Sequence, residues 1–111
     1  MNRPGFRRGE AVLLSFPFAD VNETRNRPAL VLLDTGDADI VVARITSQPA
    51  RTTHDVVIFQ WQGAGLLLPS IVRLDKLATL EKGLVDRRLG VLAPVDESRV
   101  LETLKSLWQL D

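Results

Sequence analysis

The sequence predicts a mainly β protein in which about five short antiparallel strands form a strongly curved sheet or a small barrel, covered at one side by a C-terminal helix. Short apolar runs separated by polar, turn-forming residues are typical of strands. Pro69 interrupts residues 66–80 and therefore favours a strand from about Ser70 over a helix through the whole stretch. From Asp96 onward, apolar residues recur at helical spacing instead.

The first half of the chain predicts three strands that pair as a meander. The strands are expected at residues 9–18, 29–33 and 40–47. The first is a nearly unbroken apolar run, as expected for a strand buried on both faces. Residues 19–26 are polar and predict a mobile surface loop. Gly36 marks the turn before the third strand.

The second half predicts two more strands and the helix. A polar loop at 48–55 leads to a strand at 56–61, a glycine-containing break follows, and the last strand begins at about Ser70. Residues 84–92 fit either a short strand or a helical turn, because Gly90 weakens both interpretations. In the helix, Asp96 is expected to cap the first turn. One buried stripe is predicted to contain Val100, Leu101, Leu104, Leu107 and Trp108.

Length and composition indicate one globular domain over residues 1–111. The chain is 45% hydrophobic but has no apolar run near the ~20 residues that a membrane-spanning helix requires. It contains no cysteine, and its N-terminus does not resemble a signal peptide, so a cytoplasmic protein is the default expectation. The 14 basic and 14 acidic residues balance, and any site for a polyanion must therefore be local.

Several classes of chemistry are disfavoured by the residue types present. His54 is the only histidine, there is no cysteine, and no cluster has metal-ligand spacing, so no metal or other cofactor is expected. The sequence also has no glycine-rich phosphate loop after a strand and no serine in a nucleophile elbow. His54 itself is best interpreted as a solvated loop residue.

The remaining candidates are polar residues on otherwise apolar strands. Arg27 stands at the head of the second strand, and Arg44 and Thr46, two residues apart, share a face of the third. Arg73 and Asp75 share a face of the last strand, where they can form an ion pair or bracket a ligand. Taken singly, each is explained by a structural role. Together, cations, hydroxyls and a carboxylate near loop ends are what a metal-free phosphodiester site requires.

Four segments, in this order, carry a resemblance that extends from residue 7 to about residue 108. They read RRGEAVLLSFPF, RNRPALVLL, VVARITSQ and PSIVRLDKLATL. The chain resembles the MazF/PemK (also called Kid) family of toxins from type II toxin-antitoxin modules. The resemblance implies a small SH3-like antiparallel barrel of about five to seven strands plus a C-terminal helix (CcdB/MazF-like), working as a homodimer with a cognate antitoxin.

The same resemblance implies a sequence-selective endoribonuclease that cuts single-stranded RNA without a metal. The ribose 2′-hydroxyl attacks the adjacent phosphorus and leaves a 2′,3′-cyclic phosphate and a 5′-hydroxyl. By motif position, Arg27 matches the catalytic arginine and Thr46 the catalytic hydroxyl residue. In the PemK branch, Asp75 would be the base and Arg73 the acid or charge stabiliser. Candidate RNA-binding residues are Ser47, Gln48, Arg25 and Arg44.

Two other functions remain open at the level of sequence. One is a catalytically silent barrel that binds a protein, either an antitoxin tail or a gyrase-type target. The other is a nucleic-acid-binding module that does not cleave. The fold alone does not separate these alternatives.

Overall fold

The computed structural model describes residues 5–17 and 24–110, with the side chains of 16, 17, 24 and 25 left out. Within these ranges the chain forms six strands, one short 3₁₀ turn (Lys82–Leu84) and one α-helix. The elements are β1 (Glu10–Pro17), β2 (Thr24–Asp34), β3 (Asp39–Thr46), β4 (Asp55–Val57), β5 (Ile71–Glu81), β6 (Val85–Val91) and α1 (Pro94–Leu107). The 14 residues of α1 are too few to cross a bilayer, and the described residues contain no longer apolar helix.

All six strands belong to one antiparallel sheet in the order β4-β5-β3-β2-β1-β6. The predicted mainly β class with a C-terminal helix is confirmed, and so is the meander of the first three strands. Within the described residues the sheet is not closed, however, which corrects the expectation of a barrel. In the described part of the chain, β4 and β6 are its two edges.

Both faces of the central strands are buried, as the unbroken apolar run of β1 predicts. On one face, Ala11, Leu30 and Ala43 join a core that α1 covers with Val100 and Leu104. The opposite face forms a second core from Val12, Leu14, Ala29, Val31, Ile40 and Val42. Because successive residues point to opposite faces, a strand between two cores must be apolar at nearly every position.

Two strand boundaries differ from the prediction, and one ambiguous segment is resolved. Strand β2 begins at Thr24, so residues 24–26 of the expected loop are strand, while 18–23 lie outside the described residues. Strand β4 ends at Val57, four residues early. Residues 85–91 form a strand, which settles the ambiguity there. Position 90 of β6 requires glycine, because an added Cβ would lie 2.6 Å from the carbonyl carbon of Ala64.

Helix α1 corrects two predictions about its ends. The residue before its first turn is Ala93, with Pro94 at the first position, and no side chain caps it. Asp96 is instead fully buried, and its carboxylate accepts the backbone N–H groups of Phe59 and Gln60 at 2.9 Å each. Trp108, expected in the buried stripe, follows the last helical residue and is 52% exposed.

Candidate functional site

A pocket of about 390 Å³ opens where the start of β2 meets the end of β3. The segment 65–70 and strand β6 complete its walls. The polar lining residues are Asn26, Arg27, Thr46, Ser47, Ser70 and Arg87. The apolar lining residues are Leu13, Pro28, Ile45, Leu66, Leu67, Leu68 and Leu89. The pocket therefore combines two cations and three hydroxyls with a wall of leucines.

Arg27 and Thr46 line the same pocket because β2 and β3 are neighbouring strands. The antiparallel pairing of β2 with β3 ends where Ala29 lies opposite Arg44. Arg27 and Thr46 each lie two residues beyond that pair, at the adjoining ends of the two strands. Both side chains are half-buried and both line the pocket. A guanidinium and a hydroxyl thus converge on a concave, water-accessible surface.

The Thr46 hydroxyl has a defined hydrogen-bonding role. Its oxygen accepts the backbone N–H of Gln48 at 3.2 Å. Because a hydroxyl carries one donor beside its acceptor lone pairs, this bond leaves its proton available for donation to a ligand. Ser47, the exposed residue between them, lines the pocket as well. The end of β3 therefore presents two hydroxyl groups to the pocket.

Arg73 is buried beside the pocket rather than in its lining. Its Nη1 donates to the Asp55 carboxylate at 2.8 Å, and the two side chains are 3% and 0% exposed. Its Nη2 donates to the Gln48 side-chain oxygen at 3.3 Å and to the Pro49 carbonyl at 3.4 Å. Burial raises the pKa of the Asp55 carboxyl. Hydrogen bonds from the Arg51 and Thr52 N–H groups and the charge of Arg73 outweigh that effect, so the pKa lies below its ordinary value.

Asp75 does not form the ion pair with Arg73 that sequence spacing suggests. The register between β3 and β5 shifts after Arg73, because Arg44 lies opposite Arg73 whereas Ala43 lies opposite Leu77. The irregularity turns both Asp75 and Lys76 toward solvent. Among the described residues, no ion pair holds Asp75, and it is not part of the pocket lining.

The other predicted RNA-binding residues are distributed differently. Ser47 lines the pocket. Gln48, the next residue, is outside the lining, and its side-chain oxygen accepts a hydrogen bond from Arg73. Arg44 is exposed and is not part of the lining. The backbone of Arg25 lies in β2, but its side chain is outside the described residues.

Sequence reasoning missed Arg87 and Ser70. Arg87 lies opposite Leu13 on β6, in the stretch whose secondary structure the sequence left ambiguous, so no face could be assigned to it. Ser70 is buried, and its hydroxyl donates to the Leu68 carbonyl at 2.8 Å. A serine directly after Pro69 was the one available signal, and it is a weak one. Arg87 adds the second cation, and Ser70 helps to fix the leucine wall.

The leucine wall, residues 66–68, is held by a close backbone contact. Gly65 has φ +81°, and a Cβ on it would lie 2.0 Å from the Leu89 carbonyl oxygen. Only glycine allows this turn to approach β6 so closely. Leu66 is buried, whereas Leu68 is 57% and Leu67 91% exposed. The wall is consequently an exposed apolar surface next to two arginines.

The described residues hold no group of three or more His, Cys, Asp or Glu side chains placed to bind a metal ion. The pocket lining named above has no carboxylate or imidazole either. What it offers a ligand is positive charge, hydroxyl donors and apolar surface. These groups suit an anion that carries an apolar or planar part.

The sequence model of a known family matches almost the whole chain. The family is described as the PemK-like, MazF-like toxin of type II toxin-antitoxin systems, and the match covers residues 7–108. No curated protein is significantly similar to the chain in sequence.

Solved structures share the fold at low sequence identity. A mycobacterial endoribonuclease in complex with its cognate antitoxin is 20% identical with a TM-score of 0.77, over 96% of this chain and 98% of that one. The Mycobacterium tuberculosis toxin MazF-mt6 is 23% identical with a TM-score of 0.75, over 92% and 98%. A chain of a MazE-MazF crystal structure from Deinococcus radiodurans is 20% identical with a TM-score of 0.75, over 94% of this chain and 96% of that one. At these identities the likeness establishes the fold.

Proposed function

The chain belongs to the PemK-like, MazF-like toxins of type II toxin-antitoxin systems, and on that premise we propose that it cleaves single-stranded RNA without a metal ion. Toxins of this family are typically endoribonucleases. The observation that carries the proposal is that Arg27 and Thr46 both line the same pocket. A phosphodiester group placed between them would contact a cation and a hydroxyl donor at once.

The reaction that fits these groups is an attack by the ribose 2′-oxygen on the neighbouring phosphorus. The bond from the 2′-oxygen to phosphorus forms, the bond from phosphorus to the 5′-oxygen breaks, and one proton moves from the 2′-hydroxyl to a base. The departing 5′-oxygen takes up a proton, which gives a 2′,3′-cyclic phosphate and a 5′-hydroxyl. Because the nucleophile belongs to the substrate, the protein needs only to orient it and to stabilise charge.

Arg27 and Thr46 supply the charge stabilisation in this proposal. The guanidinium matches the two non-bridging phosphate oxygens, on which negative charge increases in the transition state. The Thr46 proton, left available by the Gln48 bond, is donated to one of these oxygens. The half-buried setting strengthens both interactions compared with bulk water.

By the resemblance, Asp75 would be the base and Arg73 the acid or charge stabiliser. The burial of Arg73 against Asp55 favours an indirect role for Arg73 in this protein. The exposure of Asp75 outside the pocket lining favours a smaller contribution from Asp75 than from Arg27 and Thr46. We therefore expect Asp75→Asn to lower the cleavage rate less than Arg27→Ala does.

RNA binding is assigned to the groups around the reacting phosphate. Arg87 and Ser47 lie in the pocket lining and suit neighbouring phosphates. The leucine wall offers apolar surface to an unstacked base. Gln48, Arg44 and Arg25 remain the candidates for further contacts along the strand. A formal net charge of zero makes this binding depend on the pocket rather than on the whole surface.

The proposed protein partner is a cognate antitoxin, and the proposed assembly is a homodimer. One similar structure is a complex with a cognate antitoxin and another is a MazE-MazF complex. An antitoxin segment that alternates acidic and apolar residues suits this pocket, because two arginines stand beside exposed leucines. Such a segment would occupy the site proposed for RNA.

The direct test uses purified protein and a long single-stranded RNA in EDTA. Cleavage that persists in EDTA, falls strongly in Thr46→Val and is unchanged in the exposed helix variant Lys105→Ala supports the proposal. In a host that lacks the antitoxin, expression should arrest growth, and Arg27→Ala should relieve the arrest. Intact RNA after prolonged incubation with an excess of folded wild-type protein would overturn it.

The exposed leucine wall also favours a second candidate function, a catalytically silent domain that binds a protein. Leu67 is 91% exposed and suits an apolar partner side chain. In that case Leu67→Ser would abolish partner binding, and the wild type would leave RNA intact. RNA cleavage by the wild type that falls strongly in Thr46→Val distinguishes the nuclease from the silent binding domain.

A further inference from the structure

Arg73 is a buried cation whose hydrogen bonds, within the described part of the chain, lead to one short segment. Besides the ion pair with Asp55, its guanidinium donates to Gln48 and Pro49. Asp55 in turn accepts the backbone N–H groups of Arg51 at 2.7 Å and Thr52 at 3.3 Å. Through these bonds, the pair of β5 and β4 side chains fixes the segment 48–52 at several points.

The fixed segment begins next to the proposed catalytic hydroxyl. Gln48 accepts a hydrogen bond from Arg73 with its side chain and donates one to the Thr46 hydroxyl with its backbone. A continuous path of two hydrogen bonds therefore joins the Arg73 guanidinium to the Thr46 oxygen. Arg73 itself is 2% exposed and lies outside the pocket lining, so an RNA phosphate has no open route to it.

Resting on the function proposed above, we propose that Arg73 is a positioning residue that orients the Thr46 hydroxyl through Gln48, and that it does not contact the RNA. The Gln48 N–H occupies an acceptor position of the hydroxyl and thereby directs the Thr46 proton toward the pocket. Without Arg73, the Gln48 side chain loses its anchor, and the hydroxyl becomes free to rotate away from the phosphate.

A double-mutant cycle on kcat tests this path. Thr46→Val removes the hydroxyl and should lower kcat by about 100-fold, as the loss of one transition-state donor does. Arg73→Met should lower kcat by between about 10- and 100-fold, as a misplaced catalytic group does. Because Arg73 acts through Thr46, the double variant should be at most about threefold slower than Thr46→Val alone. Losses that multiply would overturn the proposal.

The salt dependence of RNA binding separates positioning from phosphate contact. Removing a residue that neutralises one phosphate of a single strand reduces the slope of log K against log salt by about 0.7. The slope should fall in Arg27→Met and stay at the wild-type value in Arg73→Met. A reduced slope in Arg73→Met would show that Arg73 contacts RNA and would overturn the proposal.

Gln48→Met keeps the test decisive if Arg73→Met fails to fold. Gln48 is exposed, and this change removes the Arg73 hydrogen bond while leaving the buried ion pair intact. Gln48→Met should lower kcat in the protein that retains Thr46, but it should not lower kcat further when it is combined with Thr46→Val. In Arg73→Met and in Gln48→Met, exchange of the backbone amide hydrogen of residue 48 should become faster, because the hydrogen bond of this amide to Thr46 is weakened. Unchanged exchange would overturn the positioning role. An inactive wild type would instead contradict the proposed function.

Discussion

Arg27 is the residue to which the proposed chemistry assigns the charge stabilisation of the phosphate. The chain places its charge where β2 enters the pocket, and Pro28 restricts the backbone next to it. A half-buried guanidinium acts on a phosphate more strongly than an exposed one does, because less water screens it. The same half-burial leaves the group accessible to a ligand.

The first prediction concerns replacement of Arg27. Arg27→Ala should lower kcat/KM by between about 100- and 1,000-fold, since it removes charge stabilisation at the transition state. Arg27→Lys keeps the charge but loses the planar fork, and should recover only part of the rate. Single-turnover cleavage of a labelled RNA measures both. Equal activity of the alanine variant and the wild type would remove Arg27 from the mechanism, and Lys105→Ala serves as the matched cation control.

Asp34 provides the second residue-scale prediction, on stability against acid. Its pKa is lowered to about 2, chiefly by the hydrogen bond from Lys82 at 2.8 Å and then by the N–H groups of Phe6 and Gly36. Because the folded pKa lies below the unfolded value of about 3.9, this carboxylate stabilises the fold above that pH. The contribution is lost as the pH falls through about 2.

Asp34→Asn should therefore destabilise the protein at neutral pH and flatten the decline of stability between about pH 4 and pH 2. Urea denaturation across this range measures the effect. Asp86→Asn, an exposed change on β6, is the control and should reproduce the wild-type curve. An unchanged acid decline in Asp34→Asn would show that other carboxylates determine it.

At the scale of elements, the pattern of apolar residues predicts where strands form, but contacts with residues distant in sequence determine where they end. The run 56–61 alternates well enough for a longer strand, yet β4 stops at Val57. The Asp96 carboxylate takes the N–H groups of Phe59 and Gln60, which a longer strand would have offered to a neighbour. A carboxylate 36 residues away leaves no local signal in the sequence.

The candidate site shows the same division between local and distant information. Arg27 and Thr46 were assigned from motif positions, and both line one pocket at the ends of two adjacent strands. The pairing of Arg73 with Asp55, 18 residues earlier, depends on how β4 and β5 align. The irregularity at Asp75 depends on how β3 and β5 align. Spacing along one strand could not reveal either feature.

Two glycines give the third prediction, at the scale of the turn that holds the leucine wall. Gly36 and Gly65 have φ values of +86° and +81°, so alanine is strained at both. An added Cβ has open space at Gly36 but would overlap the Leu89 carbonyl at Gly65. Gly36→Ala should cost about 1–2 kcal/mol of unfolding free energy, and Gly65→Ala clearly more.

Gly65→Ala should also reduce RNA cleavage, because the turn must move away from β6 and displace the pocket wall. Urea denaturation and cleavage assays on the two variants measure both effects. Since the backbone strain is shared, Gly36→Ala isolates the contribution of close packing. Equal losses of stability in the two variants would contradict the contact between Gly65 and Leu89.

At the scale of the whole molecule, the pocket places two arginines beside the exposed leucine wall, although the chain has no formal net charge. This combination predicts that RNA and an acidic-apolar antitoxin segment compete for one pocket. A peptide from the cognate antitoxin should raise the apparent Kd for RNA in proportion to its concentration. Arg87→Ala should weaken both ligands, and simultaneous binding of the two would show that their sites are separate.

The ends of the cleaved RNA test most directly whether the pocket directs the 2′-hydroxyl of RNA against its own phosphate. Mass spectrometry of the products made in EDTA should show a 2′,3′-cyclic phosphate on one fragment and a 5′-hydroxyl on the other. RNA in which a 2′-deoxynucleotide replaces the one at the cut site should resist cleavage. Products with a 3′-hydroxyl and a 5′-phosphate would contradict the account.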